Sequence, residues 1–183
     1  MSGGGHVDPS NKKIALQIAI LAVVLAFSET LGKGAQTAAL SYNIEASNLW
    51  SFFQAKTIRQ TTMRTAAESL DAQFGDKASD AVKKQIDTWK KTAERYQSEP
   101  ETNEGRKELA SRAKKAEEKR DKSLASHLHY ETASAAVQIA IVLASAEVIT
   151  SVIALGWASA ALGVVAVAFC VIGYFWPMSV HLF

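Results

Sequence analysis

A single cysteine, Cys170, excludes disulfides within the chain and any metal cluster built on several thiolates. Proline is nearly as scarce. Pro9, Pro100 and Pro177 are the only three, and they fall near the two ends and the middle, so long helices can run between them without an interior break. No stretch of useful length alternates polar and apolar residues, the pattern of a half-buried strand. Basic residues are missing altogether beyond Lys122, although the chain holds 20 of them. A net charge of +2 leaves no basic surface able to neutralise many phosphates, which excludes nucleic acid as a partner. There is no nucleophile elbow, no phosphate-cradling glycine loop and no paired-carboxylate site. The expectation is a protein that is not an enzyme and that has no cofactor and no metal.

What the chain does have is divided in two. Its mean hydropathy of +0.01 hides compositions that do not mix. Residues 32–132 carry 18 of the 20 Lys and Arg and 15 of the 18 Asp and Glu. By contrast, Ala133–Trp176 is a 44-residue apolar run with one charge, Glu147. One membrane crossing needs roughly 20 apolar residues, so this run predicts two spans turned on Gly156-Trp157. An earlier run, Ile14–Leu31, predicts a third and holds Glu29. It is longer than a signal-peptide core and lacks a nearby small-x-small cleavage site, so it reads as a retained anchor.

The predicted fold is all-α: an integral membrane protein with three transmembrane helices and an inserted cytoplasmic helical, coiled-coil-like hairpin domain. Its parts are an N-terminal tail (1–13), a first transmembrane helix (14–34), a soluble helical domain (35–132), a second (133–154) and a third (155–176) transmembrane helix, and a C-terminal tail (177–183). Lys114, Lys115, Lys119, Arg120 and Lys122 crowd the approach to the second span, whereas the turn at Leu155–Trp157 has no charge. The positive-inside tendency therefore puts the central domain and C-terminus in the cytoplasm and the N-terminus outside, although Lys12 and Lys13 pull the other way. Trp157 is the expected anchor at the outer interface, and Tyr174 and Trp176 mark the inner one.

Between Tyr42 and Phe74 a three-four spacing holds without a slip through Tyr42, Leu49, Phe53, Lys56, Gln60, Met63 and Leu70. That is the seam of a long amphipathic helix, suited to self-association, with two polar members able to fix register. Gly75-Asp76 ends it. A second stripe runs from Ala78 to Tyr96, and Ser98–Gly105 forms a loop. A third stripe, Leu109, Ala113, Ala116, Arg120, Leu124 and Leu128, feeds without a breaker into the second span.

Two stretches resemble a known family: Leu25-Ala26-Phe27-Ser28-Glu29-Thr30-Leu31-Gly32-Lys33-Gly34-Ala35-Gln36-Thr37, and Glu45-Ala46-Ser47-Asn48-Leu49-Trp50-Ser51-Phe52-Phe53-Gln54-Ala55-Lys56-Thr57-Ile58-Arg59-Gln60. They are similar to the signature of the bacterial membrane proteins grouped as domain of unknown function 4337. The resemblance covers nearly the whole chain, including the late apolar hairpin. It implies a small bacterial inner-membrane protein and carries over no catalytic residue.

Ionisable residues inside spans are costly, so Glu29 and Glu147 are the first functional candidates. On an antiparallel neighbour, Gln17 falls at the depth of Glu147 and Gln138 at the depth of Glu29; both pairings imply nearly one register. Lys13 can snorkel toward Glu147. The functional reading is a polar track for a proton or cation; the plainer one is interhelical hydrogen bonding. Ala136, Ala140 and Ala144, like Ser159 and Gly163, form small-residue rows that permit close helix approach. Trp50, Phe52 and Phe53 read as a docking face or as bundle core. His127 and His129 cannot share a helix face; His127 and Glu131 can, as part of an interfacial collar.

These features point to a non-enzymatic inner-membrane protein that self-associates as a homo-oligomer and acts as scaffold or accessory subunit of a larger membrane complex, with the lipid bilayer as its first partner. The alternative is an oligomeric ion or proton pathway in which Glu147 faces a pore.

Overall fold

A computed structural model describes residues 9–179, with side chains from Lys12 onward. The expected tails lie outside the described residues up to residue 8 and from residue 180. Four helices follow in order: α1 (Pro9–Phe74), α2 (Asp80–Gln97), α3 (Arg106–Thr150) and α4 (Ile153–Phe175), with a 3-10 turn at Gly75–Lys77. No strand occurs among the described residues, so the all-α expectation holds. Three of the helices, α1, α3 and α4, contain stretches long and apolar enough to cross a membrane.

Helix α1 is 66 residues long. It opens on Pro9, where the missing N–H is no loss because the first turn has no partner for it. It then passes through Gly32 and Gly34 without interruption, so the apolar and amphipathic stretches share one helix. Gly75, at φ +45°, supplies the left-handed residue that stops it. Ser79 caps α2 by accepting the Val82 N–H.

The second apolar turn is a correction. The reversal falls at Ser151-Val152, between the end of α3 at Thr150 and the start of α4 at Ile153. It does not fall at Leu155–Trp157. Ser151 adopts φ 57° there, and Gly156 lies within α4. The glycine serves close packing rather than reversal: a Cβ on Gly156 would run into the Glu147 carboxylate.

The chain divides into two compact units. One is Ser41–Arg120; the other joins the chain up to Leu40 with the chain from Asp121.

In the Ser41–Arg120 unit, partner numbers rise along α1 as they fall along α2 and α3. Gln60 meets Ala93 and Asp71 meets Lys90; Trp50 meets Glu117 and Thr57 meets Arg106. Both helices therefore run antiparallel to α1. The core is Ala46, Leu49, Leu109, Ala113 and Ala116, with Trp50 and Phe53 packed against it. Alanine at three of those positions lets the backbones approach closely. The end of the predicted third stripe, Leu124 and Leu128, belongs to the other unit, where both are exposed while His129, Tyr130 and Ala133 are buried. An α-helix has 3.6 residues per turn, so a straight four-residue spacing rotates around the axis.

In the other unit, Gln17 meets Ser159 and Leu21 meets Gly163, a constant offset that makes α1 and α4 parallel. Ser159 meets Ala140 and Pro177 meets His129, so α4 is antiparallel to α3. The core is Leu21, Ala133, Val137, Ala140 and Ala166. Buried positions here are mostly small, among them Ser28, Gly32, Ala144, Gly156, Ser159, Gly163 and Gly173. Large aliphatic and aromatic residues face out instead: Ile20, Phe27, Val142, Ile149 and Val164 are each more than half exposed.

Candidate functional site: polar groups among the apolar helices

Gln17, on α1, is the one of the four polar candidates with a side-chain hydrogen bond to another helix among the described residues. Its Nε2 donates to the Ser159 hydroxyl at 2.9 Å and to the Gly156 carbonyl at 3.2 Å, both on α4. Ser159, fully buried, donates in turn to the Ala140 carbonyl of α3 at 2.7 Å. Three helices are thus tied through one amide and one hydroxyl. A hydroxyl can donate and accept at once, which lets serine serve as the middle of the chain.

The expected pairing of Gln17 with Glu147 is corrected accordingly. No hydrogen bond joins them among the described residues. Both line one opening with Lys13, Gly156 and Trp157. Glu147, half-buried on α3, lays its carboxylate against the bare backbone of Gly156. The antiparallel register implied the right depth, but the amide turns to α4 and donates to its serine and to the Gly156 carbonyl.

The second pairing also fails. Gln138 donates to Ser134 on its own helix at 3.3 Å and is exposed. Glu29, likewise exposed, lines a polar groove with Lys33, Gln36, His127, Tyr130 and Glu131. In that groove His127 Nδ1 lies 3.1 Å from the Gly32 carbonyl, which can only accept, so the ring donates there. Its other nitrogen lies 3.7 Å from Glu131. His129 points the opposite way. Its Nε2 donates to the Pro177 carbonyl at 3.1 Å, while its buried Nδ1 has no hydrogen-bond partner. No group of three or more metal-ligating side chains occurs among the described residues.

The seam residues of α1, expected to serve oligomerisation, pack within the chain. Tyr42, Leu49, Phe53, Lys56, Gln60, Met63 and Leu70 are all buried or half-buried against α2 and α3. Lys56, only 6% exposed, pairs with Glu99 at 3.3 Å and lies 5.2 Å from the centre of the Tyr96 ring. Gln60, 5% exposed, donates to the Ala93 carbonyl at 3.0 Å and to Gln97 Oε1 at 3.2 Å. Arg106 closes the lock: it donates to Gln60 Oε1, to Gln97 Oε1 at 2.9 Å and to Thr57 at 2.9 Å, with its guanidinium 5.0 Å from the Phe53 ring centre. Trp50 is half-buried and donates to Glu117 at 2.9 Å, while Phe52 is exposed.

The loop that carries α2 into α3 has its own clamp. Ser98 donates to Glu108 Oε1 at 2.7 Å, and the Glu99 N–H donates to Glu108 Oε2 at 3.2 Å. The Ser98 bond holds the Glu108 carboxyl below the usual carboxylate range. Gly105 is required beneath it, since a Cβ there would strike Glu108 and the loop backbone.

The model of the domain of unknown function DUF4337 matches residues 10–176. The chain belongs to that family. No curated protein and no solved structure matches it. In this DUF4337 protein both stretches that carried the resemblance lie on α1. The first holds Ser28, Glu29 and Gly32, and the second holds Trp50, Phe53, Lys56 and Gln60 of the lock.

Sequence reasoning missed Ser159 as a hydrogen-bonding centre, because it read the serine only as a small residue. It missed Arg106, Gln97 and Glu99 as partners of the polar seam. The signal was present: a lysine and a glutamine on a buried stripe need acceptors, and the last turn of α2 and the loop after it supply them.

Proposed function

We propose that this DUF4337 protein is a non-enzymatic, multi-pass inner-membrane protein, acting as scaffold or accessory subunit of a membrane assembly. The observation that carries the membrane reading is the distribution of side-chain size in the unit formed by the two chain ends. Small residues fill its interior and large apolar ones cover its outside, the arrangement helices adopt where lipid is the solvent. Trp157, 75% exposed, and the exposed Tyr174 and Trp176 suit interfacial belts at the two ends. The positive charge before the second span favours a cytoplasmic Ser41–Arg120 unit. In this reading the first transmembrane helix covers residues 14–34, and the soluble domain follows it over residues 35–132.

The scaffold reading rests on where the polar groups go. Lys56, Gln60 and Arg106 are consumed in holding α1, α2 and α3 together, and Gln17 and Ser159 in holding α1, α3 and α4. Because the α1 seam is filled within the chain, self-association uses outward residues such as Ile44, Phe52 and Ile58, all exposed. Light scattering after size exclusion in mild detergent tests this: a clean monomer across concentrations refutes self-association. Topology is tested with single cysteines at Ser98 and Ser151 in a Cys170→Ser background. Labelling of the first by an impermeant reagent in intact cells reverses the orientation.

The second reading, an oligomeric proton or cation pathway through Glu147, draws on an acid half-buried beside apolar helices. Lys13 at the same opening counts against it, since a fixed cation repels a passing one. Liposome flux with wild type and Glu147→Gln decides, and equal flux removes the reading.

A further inference from the structure

Two openings between α1 and α4 share three lining residues, Lys13, Gln17 and Ala160. One is polar at its rim, with Lys13, Glu147 and Trp157. The other is apolar and runs on past Ile20, Val164 and Val167, floored by Gly163. Gly163 lets α1 and α4 approach beneath the trough, because Leu21 fills the space that a Cβ there would need, and Ile20 and Val164 stay exposed along it. The whole is a groove with a charged mouth and an oily trough, the outline of an amphiphile.

The charges at the mouth are one cation and one anion. Among the described residues no hydrogen bond or ion pair engages the Glu147 carboxylate, whereas the Gln17 amide is spent on Ser159 and Gly156. A carboxylate so placed wants a donor of positive charge. Lys13 offers three donors on a flexible stem, suited to a phosphate. Trp157 lies at the level where such a headgroup sits.

We propose that this groove binds a zwitterionic phospholipid with a primary-amine headgroup, a phosphatidylethanolamine, as a structural lipid. Its ammonium donates to Glu147, its phosphate accepts from Lys13, and one acyl chain lies along the trough against Ile20, Val164 and Val167. A trimethylated ammonium has no N–H to donate, so phosphatidylcholine loses the Glu147 contact. An anionic phosphatidylglycerol meets Lys13 but is opposed by Glu147. The inference rests on the membrane reading above.

Native mass spectrometry of protein released from nanodiscs holding equal parts of the three lipids tests it. Wild type should retain phosphatidylethanolamine over phosphatidylcholine by roughly tenfold, the value of one charge-assisted hydrogen bond. Glu147→Gln should erase that preference and raise phosphatidylglycerol. Lys13→Gln, at an exposed position, should weaken retention of all three, and Val164→Trp, also at an exposed position, should do so by filling the trough. Equal retention of the ethanolamine and choline lipids by wild type overturns the proposal. So does an ethanolamine preference that survives Glu147→Gln, or retention unchanged by Lys13→Gln or by Val164→Trp. Protein that alkaline carbonate releases from membranes without detergent would overturn the membrane reading itself. Protein that needs detergent yet holds no preferred lipid overturns this inference alone.

Discussion

The amide of Gln17 reaches the hydroxyl of Ser159 across 2.9 Å, although 142 residues separate them in the chain. Ser159 then hands the contact to a backbone carbonyl on a third helix. Among apolar side chains this pair acts as a pin, because the amide and the hydroxyl together engage all three helices. Interhelical hydrogen bonds in membranes average about 0.6 kcal/mol and reach about 1.7. Ser159→Ala is expected to cost about 1 kcal/mol and Gln17→Leu less, with a double mutant no worse than Ser159→Ala alone. Unfolding in mixed micelles, arranged as a double-mutant cycle, measures this. Full additivity would show that the two residues act separately.

Gly156 and Glu147 make a steric prediction. The carboxylate occupies the space a Cβ would need, so Gly156→Ala forces α3 and α4 apart or turns Glu147 out. Overpacking of this kind costs about 1–3 kcal/mol. In a Glu147→Ala background the same substitution should cost little, because the collision is gone. An equal cost in both backgrounds would trace the effect to the glycine backbone instead.

In the Ser41–Arg120 unit, Gln60→Leu removes an acceptor from Arg106 and the donor to the Ala93 carbonyl and Gln97 Oε1. Each buried group left unmet costs about 1–3 kcal/mol. The expected loss in chemical denaturation is about 2–4 kcal/mol, larger than for Lys90→Ala at the exposed Asp71 pair, which should stay within about 0.5 kcal/mol. Similar losses for the two would mean that the lock contributes no more than a surface ion pair.

Acid should loosen the same unit at its loop. The Ser98 hydroxyl and Glu99 N–H both favour the ionised Glu108, so the folded carboxyl has a lowered pKa. Its contribution is complete above the unfolded value, roughly 4.3, and is lost as pH falls through the lower folded value. Glu108→Gln should therefore narrow the stability gap between neutral and acid pH relative to wild type. Parallel pH profiles for the two proteins would remove Glu108 from the account.

Much of this fold was legible because helical periodicity is local. The seam from Tyr42 to Leu70 and the loop at Ser98–Gly105 follow from spacing, Gly75 and Pro100 alone. The turn at Ser151 was not legible. Glycine is the usual signal for a reversal, yet Gly156 was needed to let Glu147 lie flat on α4, and a serine took the left-handed position instead. Pairing of the polar candidates failed for a related reason. A register between α1 and α3 fixes depth but not azimuth, and the rotation of α1 aims Gln17 at α4. Once three helices meet, depth alone leaves two possible partners.

The left-handed serine carries the last prediction. Ser151 sits at φ 57° just after α3 ends, with its N–H donating to the Glu147 carbonyl at 2.8 Å. A residue with a Cβ pays about 1–2 kcal/mol in that conformation, and glycine does not. Glycine is the preferred residue just past a helix end for this reason. Part of the gain is offset, because glycine adds freedom to the unfolded chain. Ser151→Gly should therefore raise stability by about 0.5–1 kcal/mol without moving the reversal, whereas Ser151→Val should lower it, since a branched side chain tolerates positive φ least. Thermal unfolding in detergent, read by loss of helical circular dichroism, ranks the three proteins. If glycine and valine shift the midpoint in the same direction, the strain at residue 151 does not govern the turn.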